Sequence, residues 1–430
     1  MKLSLKFRQI VIFVLGWVAY ASTYFLRKPL GVIKVDLKSE LLFSKSQLGW
    51  LDAALLFPYA MSQMFLGAVG DRFGARRTFA ITLFISALSM ITFGNWSSFY
   101  ILVTLLFING AAQAHCWPNC GKILGTWFSD KSRNSIFGLF GASAFVGGIV
   151  GTTLAVFLQA KYGWRNVFVL PSLITGTISL LLFFFFRESN EIGIDIPGRE
   201  SSKESGIETQ NVQKLSLLQL WKVICVKECA IGMFSLKLVR YTMYMWLPMY
   251  LLNVLRYSKA QAGMFSTMFE IGGVAGSAVI GFVVDRLLGG KALIGVSISI
   301  FLSAICLILF IATSGWGVIV NSVFLLSAGA LNCGPDSLLG GSISADLGER
   351  HGAAAAVTGL INGFGSVGGF IEGPLIGFIA DVLGWTAVFY VMVIICFMGS
   401  IAVYRAARLY EINQSRRSKQ PESGKEPTNV

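Results

Sequence analysis

Long apolar stretches alternate with short polar intervals along the whole chain. A helix needs roughly 20 apolar residues to cross a bilayer. Such stretches lie near 9–32, 47–69, 78–95, 99–121, 134–159, 166–187, 229–252, 261–284, 292–313, 316–344, 353–380 and 385–404. The pattern predicts an all-α membrane protein with 12 spans. No short alternating strands of the barrel kind interrupt it. The longest polar interval, 188–228, divides the spans six and six. It reads as a mobile linker followed by a surface helix. The predicted organisation is therefore a six-helix half over 1–187, the linker over 188–228, a second half over 229–404 and a polar, disordered tail over 405–430.

Composition agrees. Apolar residues make up 54% of the 430 and charged residues 13%, against roughly 25% charge in a soluble domain. Lipid must cover what polar side chains do not, which excludes a cytosolic enzyme, a secreted disulfide scaffold and a disordered chain. The net charge of +13 would suggest nucleic acid in a soluble protein; here it reads as the positive-inside rule, with no nucleic-acid partner. Lys and Arg concentrate in the even-numbered loops, the linker and both ends, so both termini are expected in the cytosol. The basic start, MKLSLKFRQ, leads into an apolar run without a small-residue cleavage site and reads as the first retained helix. The expected membrane is a plasma, inner or endoplasmic reticulum membrane, with no KKxx or KDEL at the end of the sequence to choose among them.

The two halves repeat. GAVGDRFGARR at 67–77 returns as GFVVDRLLGGK at 281–291, pairing Asp71-Arg72 with Asp285-Arg286 as candidate gating or charge-pairing groups. SAFVGGIVG at 143–151 returns as GSVGGFIEG at 365–373. Matched halves of even helix count are a transporter plan. The Gly-x-x-x-Asp-Arg loops after the second and eighth spans resemble those of the major facilitator superfamily.

Charges inside spans cost about 2.5–3.5 kcal/mol each on insertion scales and are functional candidates. Arg27 and Arg240 are the sharpest. They are 213 residues apart, close to the repeat offset, and so occupy equivalent places in the two halves. Two guanidinium forks converging on one point call for an anion, and their geometry matches phosphate or carboxylate. The alternative is that each arginine snorkels or pairs with an internal acid. Tyr20, Tyr24 and Arg27 share one helix face, as do Lys237, Arg240 and Tyr244. Asn109 and Gln113 either line the same cavity or join two helices. Lys28, next to Arg27, is expected to point elsewhere, toward the interface. Glu270 is expected to pair with Lys237 or Arg240 when the site is empty, either as a gate or as plain structure. Asp52, His115, Asp336 and Glu372 are further polar groups within spans. His115, Cys116 and Cys120 lack companions at ligand spacing, so no metal and no cofactor are expected. Catalytic signatures such as GxSxG, HExxH or a P-loop are also missing, which argues against an enzyme.

YFLRKP on the first span, HCWPNCGK on the fourth and LVRY on the seventh resemble the organophosphate:phosphate antiporter family, and KLVRYTMYMWLPMYL with SADLGERHG is most similar to its sugar-phosphate exchangers. The resemblance implies that Arg27 and Arg240 grip the phosphate and that Tyr20 and Tyr24 line the pocket. It implies exchange of a phosphorylated sugar or glycerol 3-phosphate for inorganic phosphate through rocking of the halves; a monomer is expected. The chain departs from the family at Ala144, where a His is common, and at Gln63, where a Lys is usual. Its first outer loop, near 33–47, is short, like that of the bacterial or endoplasmic-reticulum glucose-6-phosphate branch. A transporter-like receptor that senses a sugar phosphate is the alternative.

Overall fold

A computed structural model describes residues 4–65, 73–128, 130–197, 217–349 and 354–418. Twelve helical spans are present among them, and no strand. The first six are Leu5–Glu40, Lys45–Phe65, Ala75–Ile91, Phe99–Trp127, Asp130–Tyr162 and Val169–Phe185. The last six are Val226–Asn253, Lys259–Leu287, Ala292–Ala312, Val318 to Glu349, Ala354–Val382 and Trp385–Ser418. Nine of the described helices are long and apolar enough to cross a membrane by composition alone. The second, seventh and eighth fall short. Asp52 lies on the second, Lys237 and Arg240 on the seventh, and Glu270 on the eighth.

Two boundaries differ from the sequence reading. The first loop is four residues, 41–44, rather than about fifteen, because the first span continues to Glu40. Lys34 and Asp36 looked like the end of that span. Both are buried with partners: Lys34 pairs with Asp52, and Asp36 accepts from Lys259 and Gln159. The tail is helical through Ser418 rather than disordered from 405. Val403, Ala406 and Ala407 bury one stripe of it, and the Cys225 thiol donates to Ala406 O. In the linker, Asn190–Ile192 forms a 3₁₀ turn and Leu217–Leu220 one helical turn; residues 198–216 lie outside the described ones. So do Asp71 and Arg72, and the side chains of Gln63 and Asp285. Arg286 is exposed on the last turn of the eighth span.

The glycine pairs of the second repeat explain how the arginine-bearing spans are seated. A Cβ on Gly147 would overlap Ala21 O, and one on Gly368 would lie 2.7 Å from Phe234 O. Ala21 precedes Arg27 by six residues, and Phe234 precedes Arg240 by six. The fifth span therefore cradles the first as the eleventh cradles the seventh. Close helix approach through small residues is how spans pack where lipid supplies no hydrophobic drive.

The face opposite the linker is closed between the first and last six spans. Asp381, at the end of the eleventh span, accepts from Ser46 N–H and Oγ at 2.8 and 3.0 Å. Asp36 of the first span pairs with Lys259 of the eighth. Gly49 and Gly373 meet backbone to backbone, and a Cβ on either would overlap the other's carbonyl oxygen. Just inside, the Lys34–Asp52 pair is fully buried, and the Lys34 ammonium sits 3.6 Å over the Trp246 ring. Gly49→Val is expected to destabilise this closed face by about 1–3 kcal/mol, since backbone cannot move aside as a side chain can. Lys45 is only 14% exposed here, so amine labelling followed by mass spectrometry should show it becoming more reactive in the variant. Unchanged labelling would contradict the closure.

Candidate substrate site

The first span is not one continuous α-helix. Pro29 has no N–H to give the preceding turn, and Tyr24–Leu26 tightens into a 3₁₀ turn, with Arg27 N–H donating to Tyr24 O at 3.2 Å. Arg27 sits at this break, 3% exposed. Its Nε and Nη2 donate to the same oxygen, Gln113 Oε1, at 3.1 and 2.8 Å. Gln113 closes the first half of the fourth span, Phe99–Gln113, and the helix restarts at Cys116. Interrupted helices in corresponding places are where transporter folds build their binding sites.

A polar network fixes Gln113. Its Nε2 donates to Thr23 O, Ser86 Oγ and Asn109 Oδ1 at 3.2, 3.2 and 2.8 Å. Asn109 Nδ2 donates to Leu26 O at 3.1 Å, and Ser86 Oγ donates to Asn109 Oδ1. Asn109 thus joins helices and is fully buried, whereas Gln113 touches Arg27 itself. The rings of Tyr24 and Tyr59 lie 5.0 and 4.7 Å from the guanidinium carbon, within cation–π range. Tyr20 is packed edge-on against Trp117 and Tyr24 and stands one layer behind.

Arg240 lies mid-helix in the seventh span. Its Nη1 donates to Asp336 Oδ2 at 2.9 Å. Asp336 is on the tenth span, the repeat partner of the fourth. Each arginine is thus held from the corresponding helix of its own half, by an amide in one and a carboxylate in the other. Lys237, one turn before Arg240, donates to Asn362 O and Ser366 Oγ at 3.0 and 3.2 Å. Arg240 and Asp336 keep 14% and 24% side-chain exposure although both are deep in their spans. The Tyr241 ring lies 5.8 Å from the Arg240 guanidinium carbon as the Tyr24 ring lies 5.0 Å from that of Arg27, and Lys28, next to Arg27, sits over the ring of Tyr244, one turn after Arg240, so the two arginines approach one locality.

Lys28 does not point away. It is 4% exposed, its Nζ is 3.0 Å from Glu270 Oε1, and it sits 3.6 Å over the Tyr244 ring. Consecutive residues of an ideal helix diverge by 100°, but the break at 24–29 turns both Arg27 and Lys28 inward. Glu270 consequently has its partner on the first span, not on the neighbouring seventh. The ion pair bridges the two halves, with Gly148 of the fifth span lying directly against the carboxylate. Sequence reasoning missed Tyr59 and Tyr241 and gave Asp336 no role. Asp336 alone carried a usable signal, as an acid inside a span. His115 is buried, and no group of three metal-ligating side chains occurs among the described residues.

A family model described as "Major Facilitator Superfamily" matches residues 13–371. The chain is 29% identical to the putative glycerol-3-phosphate transporter 5 of Arabidopsis thaliana, over 96% of this chain and 93% of that one. It is 29% identical to sugar phosphate exchanger 3 of Bos taurus, over 86% and 82%, and 28% identical to the human glucose-6-phosphate exchanger SLC37A2, over 87% and 82%. In fold it is similar to a bacterial homologue of the human lysosomal transporter Spinster, with a TM-score of 0.73 and 16% identity over 94% and 98% of the two chains. The nucleoside transporter NupG superposes with a TM-score of 0.67 at 14% identity over 94% and 100%.

Proposed function

The chain belongs to the Major Facilitator Superfamily, and from that premise we propose that it exchanges a phosphorylated sugar or glycerol 3-phosphate for inorganic phosphate across a membrane. The observation that carries this reading is the pair Arg27 and Arg240, set at equivalent places in the repeat, with Tyr24 beside the first, Tyr241 beside the second, and Lys28 of the first span over the ring of Tyr244 of the seventh. With Lys28 and Glu270 cancelling, Arg27, Arg240, Lys237 and Asp336 leave two positive charges. A phosphate monoester near pH 7 carries roughly two negative ones. Guanidinium forks suit such an oxyanion better than ammonium groups do. Relatives named for glycerol 3-phosphate and sugar phosphates support the same substrate class.

Exchange follows from closure on one face at a time. The structure is closed opposite the linker, so the residual exposure of Arg240 and Asp336 belongs to a path from the linker face. Rocking of the halves 1–187 and 229–404 breaks Lys28–Glu270, Asp36–Lys259 and Asp381–Ser46 together and opens the other face. We place the linker and both termini on the cytosolic side, where the basic loops lie. Proteoliposomes loaded with phosphate are expected to take up labelled phosphate, and unlabelled glycerol 3-phosphate or glucose 6-phosphate to compete. Binding without any counterflow would favour the sensor instead; neither binding nor counterflow would refute the substrate class.

A further inference from the structure

The two arginine partners are equivalent in place but not in state. Gln113 is 1% exposed and its amide is fully engaged, the oxygen by two bonds from Arg27 and the nitrogen by three acceptors. Asp336 engages one oxygen only. Its Oδ2 accepts from Arg240, while Oδ1 is buried and has no hydrogen-bond partner. A buried acceptor left unpaired costs stability, and a donor on a ligand would remove that cost. The backbone around Asp336 is also irregular. Pro335 removes the helical bond to Leu331 O, that carbonyl takes the Ser299 hydroxyl at 3.0 Å instead, and a π-helical turn follows at Leu338–Ser342. Single π-turns of this kind are common at functional sites.

Resting on the phosphate reading above, we propose that Asp336 is a specificity-determining residue whose free oxygen accepts a hydrogen bond from the ligand, so that the site selects phosphates carrying a donor. An ionised carboxylate is an acceptor only. Monohydrogen phosphate has one P–OH to offer it. A sugar or glycerol phosphate offers a hydroxyl of its organic part. Sulfate and the dianion of a simple alkyl phosphate offer nothing, and each sets an oxygen or a methylene against the carboxylate. The charge of these anions is the same, so Arg27, Arg240 and Lys237 do not tell them apart. A site built to bond a ligand donor rejects analogues that lack it far more strongly than a merely apolar pocket would.

Competition against labelled phosphate, in detergent-solubilised full-length protein, tests this with phosphate, glycerol 3-phosphate, ethyl phosphate and sulfate as probes. Wild type is expected to bind phosphate and glycerol 3-phosphate at least about 10-fold more tightly than ethyl phosphate or sulfate. Asp336→Asn and Asp336→Gln supply an amide N–H that can donate to any oxyanion, and both should cut the phosphate-to-sulfate ratio by about 10-fold or more. The wild-type ratios stand even if one variant folds poorly. Tight phosphate binding with sulfate and ethyl phosphate equal to it, or variants with the wild-type ratio, would overturn the role of Asp336 and leave the phosphate site intact. Failure of phosphate itself to bind would instead refute the underlying function.

Discussion

Arg240→Lys is expected to lower phosphate exchange by about 100-fold or more in protein that still folds. Lysine keeps the charge and removes the planar fork. Arg240 already gives Nη1 to Asp336, so its service to a substrate depends on having other donors in the same plane. An ammonium on a flexible stem can satisfy Asp336 or the phosphate, and loses the fixed angle between them. Charge-assisted hydrogen bonds contribute about 1.5–3 kcal/mol each, which accounts for a loss of this size from one or two bonds. Arg27→Lys should act similarly, because Nε and Nη2 together grip Gln113 Oε1. Initial exchange rates on equal amounts of folded protein give the comparison. A lysine variant exchanging at the wild-type rate with unchanged affinity would show that the fork is irrelevant.

The second large effect is on stability. Glu270→Gln leaves the Lys28 ammonium 4% exposed and without its carboxylate. Breaking a buried ion pair from one side costs about 3–5 kcal/mol, whereas removing both charges is often neutral. The single variant should therefore melt well below wild type, and the double variant Lys28→Gln, Glu270→Gln should recover most of the difference. Six of the seven cysteine thiols are buried, so a thiol-labelling melt reports the unfolding directly. A double variant as unstable as the single would mean that Glu270 is held by something other than Lys28.

These partners show where sequence reasoning stops. The twelve spans and the equivalent placing of the two arginines along the chain are legible because hydropathy and a repeat offset are properties of the chain itself. The direction of Lys28 is not. It depends on a 3₁₀ turn and a proline break that rotate two adjacent side chains to the same side. The partner of Glu270 comes from the opposite half, so proximity along the chain pointed to Lys237 and Arg240 instead. Lys34 and Asp36 read as a helix end because their neutralising partners, Asp52, Gln159 and Lys259, lie on three other spans. The equivalence of Gln113 and Asp336 is hidden for another reason: they are 223 residues apart against 213 for the arginines, and an amide does not resemble an acid in a sequence.

The central claim is that Arg27 and Arg240 hold one anion between them. Equilibrium binding of labelled phosphate to the purified protein, with Arg27→Lys, Arg240→Lys and the double variant alongside, tests it most directly. One phosphate per chain is expected. Each single variant should weaken that one site, and the double should lose less than the two losses combined, because groups acting on one ligand are not independent. Two phosphates per chain, each lost with a different arginine, or an arginine whose replacement leaves binding untouched, would contradict the account.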